Sequence, residues 1–308
     1  MNRLLKMSVA GLFMISGLAG LALMPGCNGA TNAALDLVGK DGDKGFMFKT
    51  LARGDHHRKY GVFIPMDYKP GTTKKYPAII FLQGVGEGAG MGDGDGKNMT
   101  VGLGPFVALQ KESFPFIVMF VQSSGGWDAE SVYAQDVITA LDDMSKQYPI
   151  DQDRVSLTGL STGGYGTYVI GAKYHDRFAA IVPMGSNGAD TSVADKLVGL
   201  SVRAYCSESG DIFAGDNDRR MVEKIKTLGG NAEFIQTPTS GHDCWEYVYG
   251  SGELFTWMQQ QRRKGGHATG TTVVPGSFVK APAASAAVVS MPVSSSVRSN
   301  TASAVTPY

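Results

Sequence analysis

The amino-acid sequence predicts an α/β domain in which helices cover both faces of a mostly parallel sheet. Continuous apolar segments such as Tyr76–Leu82 and Phe116–Val121 are typical of strands buried on both faces. After residue 76 such segments alternate with amphipathic ones, as parallel sheets require. The 308 residues include 41 glycines and only 18% charged residues, which suits an apolar core with many tight turns. We therefore expect one domain over residues 45–263.

The strands follow from apolar patterning between turn residues. Segments 46–51 and 60–64 alternate enough to form strands, with a turn at Gly54-Asp55 between them. The strands at 76–82 and 116–121 are the continuous apolar ones. Shorter apolar runs predict the remaining strands at 154–158, 178–182, 202–206 and 233–236.

The helices follow from apolar residues that recur on one face. Segment 130–148 carries Val132, Val137, Leu141 and Met144 at helical spacing. The other predicted helices are 162–174, 193–200, 216–228 and 245–262. The helix at 216–228 is followed by two glycines, which is a favourable way to end a helix.

Composition excludes several classes of protein. The 28 basic residues balance the 28 acidic ones, and no basic stripe indicates a nucleic-acid partner. Three cysteines exclude a disulfide-dense scaffold. Asp93–Gly96 resembles one copy of a calcium-binding glycine repeat, but a single copy is interpreted as a solvated turn. We expect neither a metal nor a cofactor.

The first 27 residues have the features of a secretory signal. Arg3 and Lys6 precede an apolar stretch, Met7–Met24. Gly26-Cys27 resembles the lipobox of bacterial lipoproteins, in which the cysteine is acylated and anchors the protein to a membrane. Cleavage by the ordinary signal peptidase and an uncleaved anchor remain alternatives. In each case we expect the domain to be exported to the cell envelope or secreted.

Two further segments flank the predicted domain. Residues 28–44 are polar and contain glycine, asparagine and aspartate, which indicates a linker between anchor and domain. Residues 264–308 are rich in Ala, Ser, Val, Thr and Pro and show no periodicity, which predicts a disordered tail.

The pentapeptide Gly159-Leu160-Ser161-Thr162-Gly163 is the strongest local signal. It follows a predicted strand and precedes a predicted helix, the context of a nucleophile elbow. Side chains at Gly159 and Gly163 would crowd the sharp turn that lifts the Ser161 hydroxyl clear of the sheet. An ordinary glycine-serine turn is the alternative interpretation.

A serine nucleophile needs a base and an acid that orients it. Of five histidines, His56 and His57 precede the sheet, His175 ends a helix and His267 lies in the tail, which leaves His242 after the last strand.

The acid should follow the strand at 202–206, and Asp211 is the best placed. Asp216 and Asp218 are alternatives, although both suit a helix N-terminus, and Glu208 is a more distant one. The chain order Ser161, Asp211, His242 is the order of serine hydrolases with this elbow.

Two backbone N–H groups must stabilise the oxyanion in such an enzyme. Thr162, the residue after the nucleophile, supplies one. The glycine-containing loop after Tyr76–Leu82 supplies the other, near Val85, and Glu87 is expected to hold this loop.

Several segments together resemble the esterase and polyhydroxybutyrate-depolymerase group of α/β-hydrolases, which includes feruloyl and acetyl-xylan esterase-like enzymes. The resemblance covers about residues 46–262 and is carried by segments 76–87, 151–167, 177–180 and 241–245. It implies an α/β-hydrolase fold and an acyl-enzyme mechanism without a cofactor.

The resemblance also implies substrate contacts. Gln83 stands where the family usually has histidine, before the oxyanion glycine, so we expect altered support of that loop. Trp127 and Trp245 resemble positions near the cleft, where indole rings would stack on a sugar or phenolic group. Packing in the core is the alternative for both tryptophans.

Cys206 and Cys244 are predicted to lie along one edge of the site, one before the acid loop and one after the histidine. In an oxidising compartment they could form a disulfide. Two buried free thiols are the favoured alternative.

These observations predict an exported serine hydrolase that cleaves carboxylic esters. The resemblance to the feruloyl and acetyl-xylan esterase-like enzymes implies acyl or feruloyl esters of polysaccharides as substrates. Two alternatives stay open: a serine peptidase of the prolyl-oligopeptidase type, and a non-catalytic envelope or carbohydrate-binding lipoprotein with the same fold.

Overall fold

The computed structural model describes residues 33–53, 56–87, 95–186, 189–211 and 216–264. One sheet of eight strands forms its centre. The strands are β1 (Gly45–Arg53), β2 (His56–Ile64), β3 (Tyr76–Leu82), β4 (Ile117–Val121), β5 (Ile150–Leu160), β6 (Ala180–Met184), β7 (Ser201–Ser209) and β8 (Asn231–Ser240).

The strand order across the sheet is β1-β2-β4-β3-β5-β6-β7-β8. β1 and β2 pair antiparallel and β2 runs antiparallel to β4, whereas every other neighbouring pair is parallel. The predicted mostly parallel α/β sheet is therefore confirmed. β3 is buried along its whole length, as its unbroken apolar sequence requires.

Eight α-helices are present among the described residues. They are α1 (Ala33–Asp36), α2 (Leu103–Leu109), α3 (Val132–Gln147), α4 (Thr162–Lys173), α5 (Ala194–Leu197), α6 (Asp216–Thr227), α7 (Cys244–Gly250) and α8 (Glu253–Gln260). No helix in the described ranges is both long and apolar enough to cross a membrane.

The helices divide between the two faces of the sheet. Side chains of α3, α4, α5 and α6 pack on one face, together with Ala78 and Ile80 of β3. Side chains of α1, α2, α7 and α8 pack on the other, together with Ile79 and Phe81. Because successive residues of a strand point to opposite faces, one apolar strand supplies both cores.

Several helices differ from the sequence-based expectation: α1 lies in the predicted linker, and the helix predicted over 193–200 is limited to α5. The predicted helix over 245–262 is two helices, because Gly252 adopts a φ of 72° between α7 and α8. Helix α2 was not predicted, since its sequence Leu-Gly-Pro-Phe-Val-Ala-Leu contains glycine and proline in its first turn. Proline is tolerated there because the first N–H groups of a helix have no partner within it.

The described part of the predicted linker packs on the domain. Ala34 is fully buried in the core with α2, and Lys111 Nζ forms an ion pair with Asp41 at 2.9 Å. Apolar residues among the polar ones, such as Leu35 and Leu37, supply this contact. The predicted signal over 1–27 and the tail from residue 265 lie outside the described residues.

Candidate active site

Ser161 occupies a sharp turn between β5 and α4. Its backbone has φ 55° and ψ −119°, and among the described residues no other non-glycine residue has a positive φ. The Ser161 N–H donates to Met184 O at 2.9 Å, which ties the turn to the end of β6. A strained nucleophile position of this kind is the signature of a nucleophile elbow.

The flanking glycines are required by close backbone contacts. A Cβ atom at Gly159 would lie 2.3 Å from Gly163 O, and one at Gly163 would lie 2.1 Å from Leu82 O. Both distances are far below van der Waals contact, and the neighbours are backbone atoms that cannot rotate away. The G-x-S-x-G pattern therefore reflects packing of the elbow against β3.

His242 and Asp211 complete a hydrogen-bonded chain from Ser161. His242 Nε2 lies 2.9 Å from Ser161 Oγ, and His242 Nδ1 lies 3.0 and 3.1 Å from the two carboxylate oxygens of Asp211. The Asp211 side chain is 3% exposed and the His242 side chain 21%. In this order the carboxylate orients the imidazole, whose far nitrogen is placed to take a proton from the serine.

The fold explains why these distant residues meet. Ser161, Asp211 and His242 each follow the carboxyl end of a parallel strand, and these ends lie at one edge of the sheet. The loop after β8 is joined to the end of β7 by a hydrogen bond from Gly241 N to Ser209 O at 2.9 Å.

The choice of acid left open by the sequence is decided by position. Asp211, not Asp216, contacts the histidine. Asp216 is exposed in the first turn of α6, and Asp218 is buried in the same turn with its Oδ1 hydrogen-bonded to Ser186 Oγ.

The two predicted oxyanion residues lie in the segment directly after the serine and in the loop after β3. Thr162 begins α4, so its N–H is among those with no partner inside the helix, and the helix dipole favours negative charge there. Val85 lies in the loop after β3 with its side chain 62% exposed. Such an arrangement suits a developing oxyanion.

Hydrogen bonds between the loop after β4 and the loop after β3 support the segment that carries Val85. Gln83 Nε2 donates to Ser123 O at 2.7 Å, and Trp127 Nε1 donates to Gln83 O at 3.0 Å. Gln122 Nε2 donates to Glu87 O at 3.0 Å. The Gln83 side chain thus links the loop that carries Val85 to the loop after β4.

Gln83, Trp127 and Trp245, which the sequence predicts as substrate contacts, are all buried. Their exposed fractions are 1%, 2% and 6%, so none offers a face for a bound group. Trp245 instead sets its ring edge-on to the His242 imidazole at 5.0 Å. Both tryptophans pack among the buried core residues, which was the alternative interpretation.

The Glu87 carboxylate lies next to Gly84 in the loop after β3. A Cβ at Gly84 would lie 3.1 Å from Glu87 Oε2 and 3.4 Å from Ser161 Cβ, so the carboxylate and the elbow flank the same residue. Burial raises the pKa of Glu87, and nearby Asp243 raises it further, whereas hydrogen bonds from backbone N–H groups act in the opposite direction.

Cys206 and Cys244 are both free thiols in the structure, and both are buried. Burial raises the pKa of Cys206 to about 11 and raises that of Cys244 further. Thiols of this kind are poor nucleophiles. The described residues contain no group of three or more His, Cys, Asp or Glu side chains that could hold a metal.

Sequence reasoning missed the contacts made by Gly185 and Ser186 after β6. A Cβ at Gly185 would lie 3.2 Å from His242 O and 3.3 Å from His242 Cε1, so only the space of one side-chain atom separates this backbone from the histidine. The only signal in the sequence was a Gly-Ser pair at the end of a strand, which is common in ordinary turns.

Comparison of the sequence with known proteins finds a match to a protein family and a similar peptidase. Residues 124–187, which include the elbow, match the family described as the prolyl oligopeptidase family. A dipeptidyl-peptidase 5 of Porphyromonas gingivalis is 34% identical over 127 residues. That match covers 39% of this chain and only 18% of the peptidase.

Solved structures with a similar fold include esterases and peptidases. A thermostable esterase has a TM-score of 0.61 at 23% identity, covering 71% of this chain and 63% of its own. A ferulic acid esterase has a TM-score of 0.51 at 19% identity, covering 68% of this chain and 95% of its own. An acylaminoacyl peptidase of Pyrococcus horikoshii has a TM-score of 0.55 at 14% identity, covering 76% of this chain and 44% of its own.

These similarities agree with the sheet order and with the placement of the elbow at the carboxyl ends of the strands. The protein has the α/β-hydrolase fold.

Proposed function

We propose that this protein is a serine hydrolase that cleaves carboxylic esters through an acyl-enzyme. The observation that carries the proposal is the chain of hydrogen bonds from Ser161 through His242 to Asp211. It ends at a serine held in an elbow, beside a helix N-terminus that favours negative charge.

In the first half of the reaction, Ser161 Oγ attacks the ester carbonyl carbon while His242 Nε2 takes the hydroxyl proton. The carbonyl oxygen becomes an oxyanion and accepts hydrogen bonds from the N–H groups of Thr162 and Val85. The carbon–oxygen bond to the alcohol then breaks, and the protonated His242 returns the proton to the leaving alcohol. Asp211 stabilises the imidazolium without itself taking the proton.

In the second half, water attacks the acyl-enzyme carbonyl and gives its proton to His242 Nε2. The bond between Ser161 Oγ and the acyl carbon breaks, His242 returns the proton to Oγ, and the free acid leaves. Every proton taken is returned, so the cycle uses no cofactor.

Esters are the preferred substrates in this proposal, with acyl or feruloyl groups on polysaccharides as the class. The resemblance to feruloyl esterase-like enzymes supports this choice. The ferulic acid esterase is also matched over 95% of its length, whereas the acylaminoacyl peptidase is matched over 44%. This substrate class comes by analogy with enzymes of the same fold.

A serine peptidase is the second candidate. The match to the prolyl oligopeptidase family over residues 124–187 and the 34% identity to a dipeptidyl-peptidase favour it. The same triad would serve both reactions, because the acyl-enzyme is shared and only the leaving group differs.

The two candidates separate in a hydrolysis panel of p-nitrophenyl acetate, p-nitrophenyl butyrate, methyl ferulate and dipeptide p-nitroanilides. We expect kcat/KM for the best ester to exceed that for every amide at least a hundredfold. Ser161→Ala should abolish the activity, and Ser113→Ala, at an exposed serine after α2, should leave it unchanged. Equal or faster amide hydrolysis would favour the peptidase.

We also propose that the chain is exported and anchored to a membrane by acylation of Cys27. The basic start, apolar stretch and Gly26-Cys27 pair support this. Metabolic labelling with an alkynyl fatty acid should mark the wild-type protein and not Cys27→Ser. Labelling that survives the substitution would contradict the anchor.

A further inference from the structure

Asp218 is a buried carboxyl group that the proposed reaction does not use. It is the third residue of α6 and is fully buried, whereas Asp216 in the same turn is exposed. Its Oδ1 accepts a hydrogen bond from Ser186 Oγ. A buried carboxyl group costs free energy unless its hydrogen bonds compensate, so its presence beside the site needs an explanation.

Ser186 directly follows Gly185, whose backbone lies close to the His242 imidazole. Its neighbour Gly185 has a φ of 52° and donates its N–H to Tyr205 O at 2.8 Å. The Gly185 Cα faces His242 so closely that a Cβ there would lie 3.3 Å from His242 Cε1. The backbone at Gly185 thus lies close to the His242 ring.

The same segment packs against the helix that follows the nucleophile. A Cβ at Gly164 of α4 would lie 2.7 Å from Ser186 Cβ. Tyr168, one turn further along α4, is fully buried and its hydroxyl lies near the Asp218 carboxyl group. Ser186 therefore lies between the helix of the nucleophile and the carboxyl group of α6.

The groups that face Asp218 come from three elements and one loop. They are Tyr168 of α4, Cys206 of β7, Cys244 of α7 and the triad acid Asp211. Burial raises the pKa of Asp218 to about 7, hydrogen bonds from Ser186 and Tyr168 act in the opposite direction, and Asp211 raises it further.

We propose that Asp218 is a positioning residue for the triad: through Ser186 it holds the Gly185 backbone against the His242 ring. This keeps His242 Nε2 directed at Ser161 Oγ. The inference rests on the proposed hydrolase function. It adds a residue that positions the catalytic base, His242, through Ser186 and Gly185.

The test compares Asp218→Ala, the conservative Asp218→Asn, Ser186→Ala and the double variant with alanine at both positions. Asp216→Asn, at the exposed carboxyl group of the same turn, is the matched control. For each protein we would measure the second-order rate constant of labelling by a fluorophosphonate, kcat and KM on the best ester, and the free energy of unfolding in urea.

We expect Asp218→Ala and Ser186→Ala each to slow labelling and lower kcat about tenfold with KM within twofold, because the transition state needs the imidazole in place. Asp218→Asn keeps an acceptor oxygen and should recover to within about threefold of wild type. The double variant should be no slower than the slower single variant, since both remove one contact.

Asp218→Ala that labels within twofold of wild type would overturn the inference, and so would losses that multiply in the double variant. If Asp218→Ala does not fold, Ser186→Ala decides by the same criterion. A wild-type protein that does not label at all would overturn the hydrolase proposal and this inference together. A labelled wild type with equally reactive variants would overturn this inference alone.

Discussion

Single residues at the elbow have geometry that few side chains tolerate. Ser161 has a positive φ. Two residues later, a side chain at Gly163 would collide with the backbone oxygens of Leu82 and Gln83. Because a strained turn persists only when its surroundings fit it closely, small substitutions here should have large effects.

Gly163→Ala is expected to lower the free energy of unfolding by about 1–3 kcal/mol and to slow fluorophosphonate labelling at least tenfold. The added methyl group would lie 2.1 Å from Leu82 O and 2.6 Å from Gln83 O, so the elbow or the oxyanion loop must move. Gly250→Ala is the control, since a Cβ at this helical glycine has no neighbour within 4 Å. Equal behaviour of the two variants would contradict this account of the elbow.

Asp218 should also make stability depend on pH. Its pKa is about 7 in the folded protein against an ordinary value of 3.8, so between these values the folded state binds the extra proton. Its contribution to the free energy of unfolding therefore falls as the pH rises from about 4 to about 7.

Asp218→Asn does not ionise, so its free energy of unfolding relative to wild type should increase over the same pH range. Urea titrations at unit pH steps from 4 to 8 measure the difference. A difference that is constant with pH would show that folding does not shift the pKa of Asp218, and one that shrinks as pH rises would show that folding lowers it. Either result would contradict the raised pKa.

Among the elements, the loops at the carboxyl ends of the strands carry the chemistry, and their contacts with one another set its geometry. The loop after β3 is held by the loop after β4, and the loop after β8 is joined to the end of β7. Such contacts join segments far apart in the chain, so a substitution in one loop should act on the residues of another.

Gln83→Ala is expected to lower kcat about tenfold with little change in KM, because the loop that carries the Val85 N–H loses its hydrogen bond to Ser123 O. Gln147→Ala, at an exposed glutamine that ends α3, should leave kcat unchanged. If Gln83→Ala keeps a wild-type kcat, the loop is held by its other contacts and Gln83 has no part in the oxyanion site.

For the molecule as a whole, stability depends on two apolar cores separated by one sheet. Helix α2 shows the consequence within seven residues, because its first residue, Leu103, is fully buried and its last, Leu109, is 66% exposed.

Leu103→Ala should therefore lower the free energy of unfolding by about 2–5 kcal/mol. Leu109→Ala, the same change at the other end of the helix, should alter it by less than about 0.5 kcal/mol. Both follow from urea unfolding monitored by circular dichroism. Similar losses for the two variants would mean that α2 does not pack on the sheet as described.

Local patterns were enough to predict the parallel sheet, the elbow at Ser161 and the histidine that reaches it. Strand burial and glycine spacing are properties of adjacent residues, and only five histidines had to be considered. The helix over 216–228 was predicted almost to its observed end at Thr227 for the same reason.

The tertiary structure alone decided that Asp211 and not Asp216 contacts His242, that Gln83, Trp127 and Trp245 are buried, and that residues 33–44 pack on the domain. It alone brought Asp218 and Ser186 together behind the imidazole. These facts depend on distances between segments that are tens of residues apart. A sequence states which side chains are available, whereas the packing of the loops at the sheet edge determines which of them meet.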